Sequence, residues 1–140
     1  RSLCDWSSDV CSSDLFGAST GAAAALVAAA RHPDRVGALV SRGGRPDLAW
    51  ADLSGVRSPT LLIVGGDDNE VLELNRRALA KLQCPREIIV IPGATHLFPE
   101  PGALDEVTRL AENWFLRHLG PQVHLEIGNR VSRSDLDALC

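Results

Sequence analysis

Thr60-Leu61-Leu62-Ile63-Val64 is an uninterrupted apolar run, bounded by Pro59 on one side and Gly65-Gly66 on the other. A segment with no polar position has no face to offer water, so it reads as a strand covered on both sides. Glu87 to Ile91 repeats the signal as a second buried strand, closed by Pro92-Gly93, and Val36 to Ser41 is a third short apolar strand. Segments of helical period lie between them. Thr20 to Arg31 is Ala-rich and stops at His32-Pro33, because a residue preceding proline disfavours the α region. Glu70 to Leu82 spaces Val71, Leu74, Ala78 and Leu82 three or four apart, and Ala103 to Leu119 carries Val107, Leu110, Ala111, Trp114 and Phe115 on one face. Arg42 to Asp47 has the Gly and Pro content of a loop, and Leu48 to Leu53 is expected as a short helix. Strands alternating with helices imply a parallel sheet in a three-layer α/β/α sandwich.

Composition narrows the functional classes. The 140 residues are 45% hydrophobic and 23% charged, the mix of one globular core. A net charge of −4 offers no electrostatic footprint for nucleic acid. The longest apolar run, Ala22 to Ala30, is about half of the ~20 residues a membrane span needs, and no basic start precedes a hydrophobic signal region. Cys4, Cys11, Cys84 and Cys140 show no zinc-ligand spacing. They read as free thiols in a reducing, cytoplasmic setting, with no metal site.

The N-terminal stretch breaks this pattern. Residues 1–15 hold five serines, three aspartates and two cysteines with no apolar period, and Trp6–Val10 is echoed by Cys11–Leu15. Asp5 to Leu15 resembles one translation frame of a sequencing-library adapter, so 1–15 is expected to be an artefactual or unstructured segment. The domain is expected over 16–119, with 120–140 a tail of no clear pattern. The chain has no Met and starts at Arg1, which leads us to expect a piece of a longer protein.

Gly17-Ala18-Ser19-Thr20-Gly21 fits G-x-S-x-G directly before a helix. Such a serine sits on a sharp turn, its hydroxyl exposed where the helix N-terminus favours a developing oxyanion, and glycines two positions away relieve clashes. Three fixed positions recur by chance in roughly 5% of chains this long, so context must carry the assignment. Gly65-Gly66-Asp67-Asp68 follows one buried strand and Gly93-Ala94-Thr95-His96 follows the next. Ser, Asp and His thus arrive in the chain order of an α/β-hydrolase triad, at the strand ends where ligands gather in parallel sheets. Ser19 would be the nucleophile, His96 the general base and acid, and Asp68 the orienting acid, with Asp67 the runner-up. The Thr20 N–H would be one oxyanion donor, and no cofactor is needed. Arg42 and Arg45, just past a strand, suit a substrate carboxylate or phosphate, or else a surface pair with Asp47. Glu100, Asp105 and Glu106 read as helix-start and surface charges, and Cys84 as packing.

FGASTGAAAAL, VSRGGRPDLA, PTLLIVGGDD, PGATHLFPEPGALDEV and WFLRHL together resemble the C-terminal half of an α/β-hydrolase of the dienelactone hydrolase-like group, from Phe16 to about Leu119. The resemblance implies a small-molecule ester, lactone or other acyl substrate, though dienelactone hydrolases proper carry Cys where this chain has Ser19. It also implies a parent in which a phosphoribosyltransferase-like domain is fused to the hydrolase. On this reading the strand feeding the elbow, together with the loop donating the second oxyanion N–H, is replaced or missing before Phe16. Val36–Ser41 would then be left as an unpaired apolar edge, and the 140-residue chain would be inactive or nearly so. Two other classes stay open: a non-catalytic α/β domain, and a phosphate- or nucleotide-binding module using the elbow helix, which lacks both GxGxxG and a P-loop lysine.

Overall fold

The structure is a computed structural model, and it describes residues 12–130, with side chains described through His118. Cys4, Cys11, Cys140 and the Trp6–Leu15 near-repeat before Ser12 lie outside the described residues. Four strands, β1 (Ser13–Ala18), β2 (Val36–Arg42), β3 (Thr60–Gly65) and β4 (Arg86–Ile91), form one sheet in the order β1-β2-β3-β4. All three pairings are parallel. The helices α1 (Thr20–Arg31), α2 (Asn69–Lys81) and α3 (Ala103–Arg130) connect or follow them.

The alternation of side chains along the central strands builds the layers. Leu39 and Leu62 point to the face covered by α1 and by the end of α2, where they join Leu26, Ala29, Leu53, Val56, Ala78 and Leu82. Ala38, Val40, Leu61 and Ile63 point the other way and pack against Val107, Ala111 and Trp114 of α3. Leu26, Leu39 and Leu62 are fully buried, each side chain stabilising the fold by about 1.5–3 kcal/mol relative to exposure. The polar groups at the sheet's N-terminal edge are paired rather than stranded. Ser58 Oγ donates to the Val36 carbonyl at 2.9 Å and Thr60 Oγ1 to the Ser58 carbonyl at 2.9 Å. Trp114 Nε1 donates to the Pro59 carbonyl at 3.3 Å, tying α3 to the start of β3.

Four expectations are corrected. β2 is not an unpaired edge: β1 pairs with it from Ser13↔Val36 to Ala18↔Arg42. The elbow therefore has its feeding strand, which begins within the polar N-terminal stretch and crosses the boundary placed at residue 15. As the outer strand among the described residues, β1 leaves Ser13, Asp14 and Phe16 exposed, so it shows no apolar run and gives no such signal. β4 is the opposite edge and only partly buried, with Val90 exposed. The helix expected over Leu48–Leu53 is instead two short 3-10 turns, Pro46–Ala49 and Leu53–Gly55. Pro46 opens the first of these, and neither is long enough to propagate. Finally, α3 runs on to Arg130 rather than ending at Leu119, despite Gly120-Pro121. No described helix is long and apolar enough to cross a membrane.

Candidate active site

The parallel register brings the C-terminal ends of all four strands to one edge: Ala18 lies beside Arg42, Arg42 beside Ile63, and Gly65 beside Ile91. Ser19 follows β1 directly and has φ 51 and ψ −121, a conformation that costs a non-glycine residue about 1–3 kcal/mol and persists only where its surroundings enforce it. They do so through three backbone bonds. The Ser19 N–H donates to the Arg42 carbonyl at 3.1 Å, and the Ser19 carbonyl accepts from the Ala22 N–H at 3.2 Å and the Arg45 N–H at 3.1 Å. Turning the chain so sharply folds α1 back over the strand end. A Cβ at Gly17 would lie 2.5 Å from the Ala22 Cα and 2.7 Å from the Gly21 carbonyl oxygen, whereas one at Gly21 would meet nothing within 4 Å among the described residues. Only the first glycine of the motif is sterically required.

Ser19 occupies the N-cap position of α1 yet makes no side-chain cap bond. Its hydroxyl instead lies 3.3 Å from His96 Nε2, the loose spacing common at such pairs before substrate binds. Asp68 behaves alike at the start of α2. It holds the N-cap position without capping, and its Oδ2 accepts from His96 Nδ1 at 2.7 Å. An Nδ1 proton held by this carboxylate leaves Nε2 as an acceptor for the serine hydroxyl. The Asp68 side chain is 16% exposed and that of His96 38%. Asp67 is exposed and takes part through its backbone, its N–H donating to the Ala94 carbonyl at 3.0 Å. The structure thus brings Ser19, His96 and Asp68 together and leaves Asp67 outside.

The His96 turn is built by its own short-range bonds. Glu100, read from the sequence as a surface charge, accepts from the Thr95 N–H at 3.0 Å and from the Thr95 hydroxyl at 2.5 Å. That hydroxyl bond holds the Glu100 carboxyl below its ordinary range. The signal was a carboxylate five residues after a threonine, across Pro99. Phe98, with φ 54, buries its ring beneath the turn.

The remaining candidates divide. Thr20 is the first residue of α1, where the leading N–H groups of a helix have no intrahelical acceptor. Arg45 makes a bidentate pair with Asp47, at 2.9 and 2.7 Å, and this pair draws the Asp47 carboxyl down. Arg42 reaches the turn that carries His96: its Nη1 donates to the Leu97 carbonyl at 3.4 Å and its guanidinium lies 5.5 Å from the centroid of the Phe98 ring. Cys84 is a buried free thiol whose pKa burial pushes up, 3.7 Å from Thr60 Oγ1. Among the described residues no group of three or more His, Cys, Asp or Glu side chains could hold a metal ion.

No protein-family model matches the chain. Two Mycobacterium tuberculosis proteins, each named "Putative phosphoribosyl transferase", are 62% identical to it over 107 residues, which is 76% of this chain and 24% of theirs. The chain therefore spans about a quarter of the length of the curated relatives it matches. Among solved structures, a dienelactone hydrolase from Anabaena variabilis superposes with a TM-score of 0.74 at 56% identity, covering 75% of this chain and 49% of that one. A monoacylglycerol lipase from Paleococcus ferrophilus gives 0.69 at 18% identity, over 77% of this chain and 69% of that one, a likeness of fold alone. The fold is the C-terminal part of an α/β-hydrolase parallel sheet.

Proposed function

We propose that this chain carries the nucleophile, base and orienting acid of a serine hydrolase acting on ester, lactone or other acyl bonds. The observation that carries the reading is the continuous chain from Ser19 Oγ to His96 to Asp68, set on a strained Ser19 backbone. Ser19 Oγ adds to the acyl carbonyl while its proton passes to His96 Nε2. The oxyanion formed accepts from the Thr20 N–H, and Asp68 stabilises the imidazolium. Collapse of the tetrahedral intermediate breaks the bond to the leaving group, which takes the proton from Nε2 and leaves an acyl-Ser19 ester. Water, deprotonated by His96, then releases the acid. Arg42, beside the Leu97 carbonyl, is available to an anionic group on the substrate. Arg45 would have to leave Asp47 to join it.

The likeness to a dienelactone hydrolase supports the acyl substrate class. The likeness to proteins named as phosphoribosyl transferases supports a parent with a fused phosphoribosyltransferase domain. A buried free Cys84 fits a reducing compartment such as the cytoplasm. The test is mass spectrometry after incubation with a fluorophosphonate probe. An adduct on Ser19 that disappears in Ser19→Ala is expected. Folded protein that forms no such adduct, or a Ser19→Ala variant that reacts equally, would overturn the reading.

A further inference from the structure

Asn75 lies on the buried face of α2, among Val71, Leu72 and Ala78, and is fully enclosed. An amide is a poor choice for that place, since it favours neither helix interior nor apolar core. One of its N–H groups has a local partner, the Val71 carbonyl at 2.7 Å one turn back. The other reaches 31 residues along the chain to the Gly44 carbonyl at 3.0 Å, while Oδ1 has no partner among the described residues. A buried amide left half-satisfied costs stability, so what the long-range bond holds bears on why the amide is there.

It holds the loop that shapes the elbow. Gly44 sits between Arg42, whose carbonyl accepts from the Ser19 N–H, and Arg45, whose N–H donates to the Ser19 carbonyl. Residues 42–45 thus grip the Ser19 peptide from both sides. The Gly43 N–H pins one end of this grip to the Ile63 carbonyl at 2.7 Å, and Asn75 pins its middle. The loop is also pressed close against β2 and α1: a Cβ at Gly44 would lie 2.1 Å from Ser41 Oγ and 2.7 Å from the Ala22 Cβ. We propose that Asn75 is a positioning residue for the nucleophile, fixing the 42–45 loop so that it holds Ser19 in its strained conformation. The inference rests on the reading of Ser19 as nucleophile. α2 then serves the site twice, through Asp68 at its start and Asn75 two turns on.

The experiment follows saturable fluorophosphonate labelling of Asn75→Leu and Asn75→Asp, both near-isosteric and both lacking the amide donor. Far-UV circular dichroism checks folding, and Leu82→Ala, a core truncation just past the same helix, serves as the control for lost stability. The limiting labelling rate should fall about 10- to 100-fold in both Asn75 variants, the scale of an ångström's misplacement of a reacting group. Half-saturation should stay within about twofold, as expected when binding is untouched. Leu82→Ala should lose thermal stability and keep the wild-type labelling rate. Asn75 variants that are folded and label at the wild-type rate overturn the inference. So does failure of both to fold, since Asn75 would then hold the fold rather than the elbow. Ser19→Ala is run alongside: if it labels like wild type the nucleophile reading itself fails, and if it alone is silent only the role of Asn75 falls.

Discussion

Replacing Gly65 by alanine probes how closely the two halves of the site are held. Gly65 ends β3, three residues before Asp68, and the turn carrying His96 lies directly over it. A Cβ there would stand 2.3 Å from the Ala94 carbonyl oxygen, 2.8 Å from its carbon and 3.0 Å from the Thr95 carbonyl oxygen. All three are backbone atoms, so no side chain can rotate away. Ordinary contact begins near 3.4 Å, and the turn would have to retreat by about 1 Å. Overpacking of this kind costs about 1–3 kcal/mol, which for a domain of this size lowers Tm by roughly 4–12 °C.

The effect on chemistry is larger in proportion. The retreating turn holds His96, whose 3.3 Å contact to Ser19 is already long and whose 2.7 Å contact to Asp68 spans the same gap. A shift of about 1 Å in a reacting group costs on the order of 10²-fold in rate. The assay is the rate of fluorophosphonate labelling, measured well below the variant's Tm so that unfolding does not contribute. A Gly65→Ala protein that labels within about threefold of wild type, with its Tm lowered by less than about 2 °C, would refute the reasoning. The sheet edge would then be compliant enough to absorb the methyl group.

Three further outcomes are expected. Asp68→Asn should lower labelling and turnover by about 10³–10⁴-fold by leaving His96 with the wrong tautomer, while Asp67→Asn stays near wild type; parity between the two variants in hydrolysis assays would remove Asp68 from the site. Gly21→Ala should be neutral or stabilise by about 0.4–1 kcal/mol in thermal melts, since the position is open and helical, whereas Gly17→Ala should abolish labelling. The His118 pKa is lowered from 6.5 first by burial and then by Arg117. Below pH 6.5 the unfolded chain therefore takes a proton that the folded side chain resists, and stability present at pH 7 is lost as the pH falls. His118→Phe, which keeps a ring against Trp114, 4.3 Å away between centroids and tilted by 55°, should lose less Tm than wild type between pH 7 and pH 5.

The sequence was most legible where residues are buried on both sides. Leu61 to Val64 have no exposed face, so composition alone announces β3, and the three-residue spacing of Val71 and Leu74 announces α2. Legibility fails at the sheet's rims. β1 begins Ser13-Asp14 because its first residues face solvent and only the later ones must pack, and no periodicity distinguishes such a strand from a polar tail. The order Ser-Asp-His named three segments that the fold brings together, but the choice between Asp67 and Asp68 turns on which carboxylate faces the imidazole, a matter of side-chain direction. Glu100 was read as a surface charge and Asn75 escaped notice for a related reason. Each is an ordinary polar residue of a helix or loop until its acceptor or donor is seen across the fold.

Close approach, rather than the motif as written, explains how three separate segments reach one hydroxyl. Ser19, the 42–45 loop and the His96 turn each lie against a backbone that lacks a Cβ: α1 crosses Gly17, Ser41 and Ala22 crowd Gly44, and the Ala94–Thr95 turn crosses Gly65. A methyl group at any of the three would push one segment out of the range in which the Ser19–His96 and His96–Asp68 contacts hold. Gly21 belongs to the G-x-S-x-G pattern yet crosses nothing among the described residues, while Gly44 and Gly65 lie outside that pattern and are as closely crowded as Gly17. The steric demand for glycine therefore follows the convergence of strand ends at the sheet edge, and a motif drawn around the serine captures one of its three supports.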